Sequence, residues 1–248
     1  MRLKGKVAIV TGGGSGFGEG IVRKFVREGA KVVIADINEN SGLQVSSSLG
    51  DAGHFIQVDV SNDKQMKALI DGSVDHFGRL DIIVNNAGIG HLPQKLEELS
   101  EELFDKLIAV NVKSVFLSAR YGVPYFKAQK SGVFLNVAST GGVSPRPNLT
   151  WYNMTKGAMI TATRAMAVEL APYAIRSNAI NPVAGDTPML KTFMGEDTAE
   201  IRAKFLSTIP LGRFSTPNDM GNAACFLCSD EASMITGVTM EVDGGRCI

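Results

Sequence analysis

Short apolar runs rich in β-branched residues alternate with longer segments of helical periodicity along most of the chain. Seven of these runs are predicted to be strands, namely Val7–Val10, Lys31–Ala35, His54–Val58, Ile82–Asn85, Val133–Ala138, Ile175–Ile180 and Thr239–Val242. The helices predicted between them include Gly18–Glu28, Asp63–Phe77, Glu101–Phe126 and Tyr152–Ala171. This alternation is typical of βαβ units, so we predict an α/β fold with a doubly wound parallel sheet and helices on both faces.

The chain has 248 residues, which is enough for one large α/β domain, and no linker-like segment divides it. We therefore expect a single domain over residues 1–248. Ligands of doubly wound sheets bind beyond the carboxyl ends of the strands, so the residues that directly follow each strand are the candidates for function.

Residues 183–210 form the one long segment without a strand pattern, and they follow the sixth predicted strand. Within this segment, Ala199–Leu206 has helical periodicity, and Ile201 and Phe205 share one of its faces. The segment also contains an apolar group made of Met189, Leu190, Phe193 and Met194. We expect a lid over about residues 183–210 that makes the pocket mainly apolar; the alternative is that these side chains are buried at a subunit contact.

The charges of the chain are balanced, with 25 Lys and Arg against 25 Asp and Glu. This balance provides no basic field for nucleic acid and no polybasic anchor for a membrane. The apolar run at Val7–Val10 is too short for a signal sequence or a membrane span, so we expect a cytoplasmic protein.

The three cysteines are too few for a disulfide framework. Cys225 and Cys228 have a spacing that also occurs in zinc sites, but no second ligand pair accompanies them, and the three histidines are scattered. We interpret these two cysteines as apolar helix residues and expect no metal site.

A glycine-rich loop, Thr11-Gly12-Gly13-Gly14-Ser15-Gly16-Phe17-Gly18, joins the first strand to a helix. Glycines let the backbone turn tightly and approach a pyrophosphate, which free N–H groups at a helix N-terminus then bind. The strict G-x-G-x-x-G fingerprint is absent, so the loop alone is also compatible with an ordinary glycine-rich turn.

Asp36 ends the second strand, about 20 residues beyond the loop, where a carboxylate accepts hydrogen bonds from the adenine ribose of a dinucleotide. An acid there repels a 2′-phosphate, and Ser15 supplies no cation to hold one. The sequence thus favours NAD over NADP. A helix cap or a turn is the structural alternative for Asp36.

Tyr152 and Lys156 lie one turn apart at the start of a predicted helix, on one face. Such a pair also occurs by chance on solvated faces. Ser139 directly follows the fifth strand, however, at the edge of the sheet where ligands bind. Three polar groups are therefore expected to converge there.

With these residues the chain resembles the short-chain dehydrogenase/reductase family, and the resemblance runs essentially from end to end. It rests on Thr-Gly-x-x-x-Gly-x-Gly at Thr11–Gly18, Asp59-Val60, Asn85-Asn86-Ala87-Gly88, Asn111, Ser139 and Tyr152-x-x-x-Lys156, in the family order. Within the family, the chain is most similar to the branch of 3-oxoacyl-carrier-protein reductases and bacterial alcohol or sugar dehydrogenases. It departs from the family pattern after the sixth strand, where the usual Pro-Gly is replaced by Asn181-Pro182-Val183-Ala184-Gly185.

The resemblance implies a Rossmann fold, a homotetramer and a small carbonyl or alcohol substrate. It implies that Asn111, Ser139, Tyr152 and Lys156 are catalytic, with Asn111 holding a water that relays protons to Lys156. Residues and resemblance together assign cofactor binding to Gly12, Ser15, Gly16, Phe17, Gly18, Asp36, Asp59, Val60, Asn86, Ala87, Gly88, Tyr152, Lys156, Gly185 and Thr187. A β-turn is the alternative for residues 85–88, and a strand-end cap is the alternative for Asp59.

Tyr152 would act as the acid in carbonyl reduction and as the base in alcohol oxidation, although a free phenol has a pKa of about 10. We expect Lys156, aided by oxidised nicotinamide, to lower that pKa. Ser139 would hydrogen-bond the substrate oxygen, and Lys156 would also bind the nicotinamide ribose.

The expected function is the NAD(H)-dependent interconversion of a secondary alcohol and a ketone. The alternatives are a 3-oxoacyl-carrier-protein reductase, which would normally use NADPH and a basic docking surface, and a sugar dehydrogenase. A non-catalytic dinucleotide sensor is disfavoured because Ser139, Tyr152 and Lys156 are all present.

Overall fold

Seven parallel strands form one continuous sheet in the computed structural model, which describes all 248 residues. The strands are β1 Val7–Thr11, β2 Lys31–Asp36, β3 Gly53–Gln57, β4 Ile82–Asn85, β5 Gly132–Val137, β6 Ile175–Pro182 and β7 Thr239–Val242. They lie in the order β3-β2-β1-β4-β5-β6-β7. The order reverses between β1 and β4, so the predicted doubly wound sheet is confirmed.

Nine α-helices accompany the sheet: α1 Gly16–Arg27, α2 Glu39–Ser47, α3 Asp63–Phe77, α4 Glu101–Leu107, α5 Ser114–Gln129, α6 Thr150–Leu170, α7 Leu190–Met194, α8 Ala199–Leu206 and α9 Pro217–Cys228. A π-helical segment, Ile108–Lys113, joins α4 to α5. The predicted helix Glu101–Phe126 is therefore continuous, but it contains a wider turn and extends to Gln129. No helix has both the length and the apolar character needed to cross a membrane.

The strands are rich in β-branched residues, and their side chains are buried on both faces of the sheet, as the near-continuous apolar runs predict. One face is covered by α1 and α9, where Ile21, Phe25 and Met220 join the core. On the opposite face, α3 and α5 contribute Met66, Leu69 and Phe126. The sheet thus lies between two buried apolar layers, and the loops that line the cleft start from the carboxyl ends of these packed strands.

Local capping explains several helix ends. The Asn62 side chain accepts a hydrogen bond from the Gln65 N–H at the start of α3, and Gly78 ends the helix with a positive φ of 78°. In α9, Thr216 and Asp219 form a capping box. The same helix contains Cys225 and Cys228, both buried, which confirms that they are apolar helix residues.

The segment 183–210 is less irregular than its sequence indicates. The helix predicted at Ala199–Leu206 is confirmed as α8, but α7 at Leu190–Met194 was not predicted. The sequence prediction also missed α2, whose nine residues include three serines and a glycine and carry almost no apolar pattern. Packing of α2 against β3 stabilises it, with Gly42 in close contact with the Phe55 ring.

Candidate active site

A cleft of about 740 Å³ opens at the carboxyl ends of the strands, where β1, β4, β5 and β6 reach the edge of the sheet. It lies at the reversal of strand order, as expected for ligand sites in doubly wound sheets. The cleft is lined by the predicted residues Gly12, Ser15, Gly16, Phe17, Gly18, Asp36, Asp59, Val60, Asn86, Ala87, Gly88, Ser139, Tyr152, Lys156, Gly185 and Thr187. Of the predicted site residues, only Asn111 lies behind the wall.

The glycine loop between β1 and α1 is packed so tightly that side chains would not fit at Gly12 and Gly18. Gly12 has a φ of 62°, and a Cβ on Gly18 would lie 2.0 Å from the Gly12 carbonyl oxygen. The Ser15 side chain does not cap α1, which leaves the N–H groups of the first helical turn free for a ligand. The loop is thus suited to hold an anion at its backbone.

Thr11 and Asn86 connect this loop to the end of β4. The Thr11 hydroxyl oxygen accepts hydrogen bonds of 3.0 Å from the Asn86 and Ala87 N–H groups. The Asn86 amide donates in return to the carbonyl oxygens of Thr11, at 2.8 Å, and Gly12, at 3.1 Å. Because the Asn86 amide N–H groups are used here, its side chain fixes the shape of the loop.

The carboxylate of Asp36 lies beside the same loop. Its oxygens accept hydrogen bonds of 2.9 Å from the Gly14 N–H and 2.9 Å from the Asn38 N–H. Asp36 therefore both lines the cleft and stabilises a turn, and each oxygen can accept a further hydrogen bond. Asp59 behaves similarly, because one of its oxygens accepts from the N–H and the hydroxyl of Ser61.

Ser139, Tyr152 and Lys156 come together where β5 meets α6. Ser139 follows β5, and its hydroxyl oxygen accepts a hydrogen bond of 3.0 Å from the Gly141 N–H. Tyr152 and Lys156 lie in the first two turns of α6, and both are buried. The Lys156 ammonium donates a hydrogen bond of 2.9 Å to the Val137 carbonyl oxygen, which anchors α6 to the end of β5.

Burial shifts the pKa values of Tyr152 and Lys156 in the directions that favour their uncharged forms. Desolvation raises the pKa of Tyr152 to about 12, and a hydrogen bond from Ser139 opposes that shift. Desolvation also lowers the pKa of Lys156 to about 8. In the protein alone, desolvation is the larger effect on the pKa of the phenol, and the expectation that Lys156, aided by oxidised nicotinamide, lowers this pKa stays a prediction.

Asn111 lies in the π-helical segment and is fully buried. Its amide oxygen accepts a hydrogen bond of 2.9 Å from the Ile89 N–H, and its amide nitrogen donates to the Ile89 carbonyl oxygen at 2.9 Å and to Thr155 at 3.0 Å. A Cβ on Gly88 would lie 3.3 Å from the Asn111 oxygen and 3.4 Å from the Lys156 nitrogen. Because Gly88 has no side chain, the Asn111 oxygen and the Lys156 nitrogen can both approach the space beside it.

The departure from the family pattern after β6 is accommodated by contact with the glycine loop. A Cβ on Gly185 would lie 2.1 Å from the Phe17 ring, and a Cβ on Gly16 would lie 3.3 Å from the Thr187 side chain. Gly185 also forms an isolated parallel bridge with Ser215. These contacts hold Gly185 and Thr187 in the cleft wall.

Segment 183–210 covers the cleft near Tyr152. The Phe193 ring centre lies 4.9 Å from that of Tyr152, and Met189, Leu190 and Phe205 also line the cleft. Met194 is buried elsewhere, and Ile201 does not line the cleft.

Arg146 is a charged residue of the wall that the sequence analysis did not assign to the site. It lies between Ser139 and Tyr152, in Pro145-Arg146-Pro147. An arginine between two candidate catalytic residues was the available signal, but its lack of an acidic partner is visible only in three dimensions.

Comparisons with known proteins agree over nearly the whole chain. Residues 12–246 match a family model described as enoyl-(acyl carrier protein) reductase. The 4-formylbenzenesulfonate dehydrogenase of Comamonas testosteroni is 46% identical, with 100% of both chains covered. The cyclopentanol dehydrogenase of Comamonas sp. is 36% identical, with 98% of both chains covered.

Among solved structures, the 3-ketoacyl-(acyl-carrier-protein) reductase from Brucella melitensis, complexed with NADH, superimposes with a TM-score of 0.95. It is 49% identical, and the comparison covers 99% of this chain and 100% of that one.

Proposed function

The chain belongs to the short-chain dehydrogenase/reductase family of oxidoreductases, and from this membership we propose that it interconverts a secondary alcohol and a ketone with NAD(H). The observation that carries the proposal is the meeting of Ser139, Tyr152 and Lys156 in the cleft that the glycine loop also lines. The named relatives that act on alcohols and carbonyl compounds support the same reaction class.

The residues of the cleft fit a dinucleotide. Side chains are excluded from the loop at Gly12 and Gly18, which leaves backbone N–H groups to face a pyrophosphate. Asp36 has acceptor capacity for ribose hydroxyls, and no cation stands at Ser15 to hold a 2′-phosphate. The similar Brucella structure contains NADH. When bound, the nicotinamide supplies or accepts the hydride.

The protein's own side chains would manage the proton. In ketone reduction, Ser139 would donate a hydrogen bond to the substrate oxygen while Tyr152 supplies the proton. A pKa of about 12 keeps the Tyr152 phenol protonated at neutral pH, which suits it as the acid. Alcohol oxidation requires a lower pKa of the Tyr152 phenol. The Lys156 ammonium would help to lower this pKa when a further positive charge enters the cleft.

Asn111 would contribute to proton transfer from its position behind the cleft wall. Its amide N–H groups are fully used, but its oxygen can accept one more hydrogen bond, near Gly88 and Lys156. A water held there would exchange protons with the Lys156 ammonium. In this proposal, Asn111 also positions Ile89 through both of its backbone groups.

We also propose that residues 183–210 form a lid of the single catalytic domain. The packing of Phe193 on Tyr152 supports this, because it places an apolar side chain over the reacting group. For the assembly we propose a homotetramer that uses α6, since its Val168 side chain is 80% exposed.

A second candidate is a 3-oxoacyl-carrier-protein reductase, which is favoured by the name of the 49% identical structure. That structure contains NADH, so a preference for NAD does not separate the two candidates. An aldehyde is a further possible substrate class, favoured by the name of the 46% identical relative.

A turnover screen tests the proposal. Ketones, aldehydes, an acetoacetyl thioester and secondary alcohols are offered with both NAD(H) and NADP(H), and absorbance at about 340 nm is followed. Turnover of a ketone or secondary alcohol with NAD(H) is expected. Activity confined to the thioester would favour the second candidate, and no activity with any substrate would contradict both.

A further inference from the structure

Arg146 occupies a fixed position in the wall of the cleft. The rings of Pro145 and Pro147 restrict the backbone on either side of it. The Asn153 side chain donates a hydrogen bond of 2.9 Å to the Arg146 carbonyl oxygen. Because Asn153 follows Tyr152 on α6, the helix that carries the phenol also holds the arginine.

The guanidinium group of Arg146 is only partly satisfied by the protein. One nitrogen donates a hydrogen bond of 2.9 Å to the Thr208 hydroxyl, and the group lies 4.8 Å from the centre of the Phe205 ring. No carboxylate lies within 4.0 Å of it, unlike the arginines that form the ion pairs of this chain. Its remaining N–H groups have no acceptor in the protein.

The surroundings increase the electrostatic cost of this cation. Burial lowers the pKa of Arg146, and the neighbouring charge of Arg246 adds to the effect. Arg246 has no acidic partner either, and its buried Nε lacks a hydrogen bond. A half-buried cation without a counter-ion is unfavourable, so an anion that binds there would gain more than at the open surface.

The acids of the cleft lie elsewhere. Asp36 ends β2 and Asp59 follows β3, so both lie on one side of β1 in the sheet. Ser139 follows β5 on the other side, together with α6. The half of the cleft that contains Ser139 and Tyr152 is lined by no carboxylate, and its walls include Leu149, Leu190 and Phe193.

We propose that Arg146 binds an acid group of the substrate, so that the enzyme acts on a carbonyl compound or alcohol that carries a carboxylate or sulfonate beyond an apolar skeleton. This inference rests on the proposed function and specifies its substrate class. The planar guanidinium matches the oxygens of either acid group, and the apolar walls suit the carbon skeleton between that group and the reacting carbon. A purely apolar ketone would leave the cation without a partner.

The kinetic test compares acids with their neutral esters. Levulinate, 5-oxohexanoate and 4-acetylbenzoate are each assayed against their methyl esters, with NADH, in the wild type and in Arg146→Met. The wild type is expected to prefer at least one acid by about 10-fold in kcat/KM, and Arg146→Met is expected to lose that preference. Lys106→Met is the matched control. Besides Arg146 and the candidate catalytic Lys156, Lys106 is the remaining cation of the cleft wall, and it too forms no ion pair.

Equal rates for acid and ester in the wild type would overturn the proposal, as would a loss of preference in Lys106→Met alone. The affinity for NADH, measured by fluorescence titration, should be similar in Arg146→Met and the wild type. A large loss of NADH affinity would instead assign Arg146 to the cofactor and would also overturn the proposal.

A binding experiment separates this proposal from the proposed function. The holoenzyme with NAD is titrated calorimetrically with 4-toluenesulfonate and with its neutral analogue 4-toluenesulfonamide. Tighter binding of the sulfonate by about 10-fold, abolished in Arg146→Met, is expected. If no ketone is reduced, the proposed function fails, and this titration still decides whether the anion site exists. Equal binding of the two compounds would contradict it.

Discussion

The Lys156 ammonium nitrogen lies 5.8 Å from the centre of the Tyr152 ring, and its hydrogen bond is directed at the Val137 carbonyl oxygen instead. The ammonium therefore makes no hydrogen bond to the phenol. Since the protein alone raises the pKa of Tyr152, the phenol is set to donate a proton and needs added positive charge to accept one.

Replacing Tyr152 with Phe should abolish turnover while NADH still binds, because the hydroxyl carries the proton and the ring only packs against Phe193. We expect kcat to fall by at least about 100-fold. Steady-state kinetics and NADH fluorescence titration measure the two effects. Lys156→Met should damage both, since the ammonium is also proposed to bind the cofactor ribose. A Tyr152→Phe enzyme that retained most of its kcat would contradict the proposed proton donor.

The buried Lys156 should make stability depend on pH. Its pKa is lowered from 10.5 to about 8, so between these values the unfolded chain holds a proton that the folded chain does not. The free energy of unfolding of the wild type should therefore rise with pH relative to that of Lys156→Met. From pH ~7 to pH ~9.5 the expected gain is about 2 kcal/mol, since one pKa unit corresponds to about 1.36 kcal/mol.

Urea denaturation of both proteins without cofactor measures this difference. The range ends below pH ~10 because Tyr152, whose folded pKa is raised, lowers stability as the unfolded phenol begins to ionise. A difference between the two proteins that stays constant over this range would show that Lys156 is protonated throughout.

The sequence predicts those elements that depend on local pattern. The bounds of α3, β4 and β7 agree with the predicted ones, because the apolar pattern of each is local, and Asn62 and Gly78 cap the two ends of α3. The π-helical turn was not predicted, since it accompanies hydrogen bonds between Asn111 and the distant Ile89. The same reason applies to Arg146: its lack of an acidic partner depends on which residues fold around it.

Asp36 should make the enzyme prefer NAD over NADP by at least about 10-fold in kcat/KM. Its carboxylate would accept from the ribose and would repel a 2′-phosphate. Replacing Asp36 with Ala and Ser15 with Arg should narrow or reverse this preference. Asp36→Asn is the matched control: it removes the charge and keeps one acceptor oxygen, for either the Gly14 or the Asn38 N–H. Equal activity of the wild type with both cofactors would eliminate this role of Asp36.

Residues 183–210 should become more protected from hydrogen exchange when substrate joins the enzyme with NAD than with NAD alone. Phe193 packs on Tyr152, and a Cβ on Gly90 would lie 2.5 Å from the Phe193 ring. The position of the segment over the cleft therefore depends on a ring that fits between Tyr152 and Gly90. Phe193→Ala should lower kcat/KM by about 10-fold, because the contact of its half-buried ring with Tyr152 is lost. Phe193→Leu, which keeps apolar bulk, should retain more activity, and Gly90→Ala should act like Phe193→Ala by displacing the ring.

Assays on matched alcohols should show a preference for apolar skeletons over sugars. Unaltered exchange on adding substrate, or a clear preference for a sugar, would refute the lid and leave the alternative that these side chains serve a subunit contact.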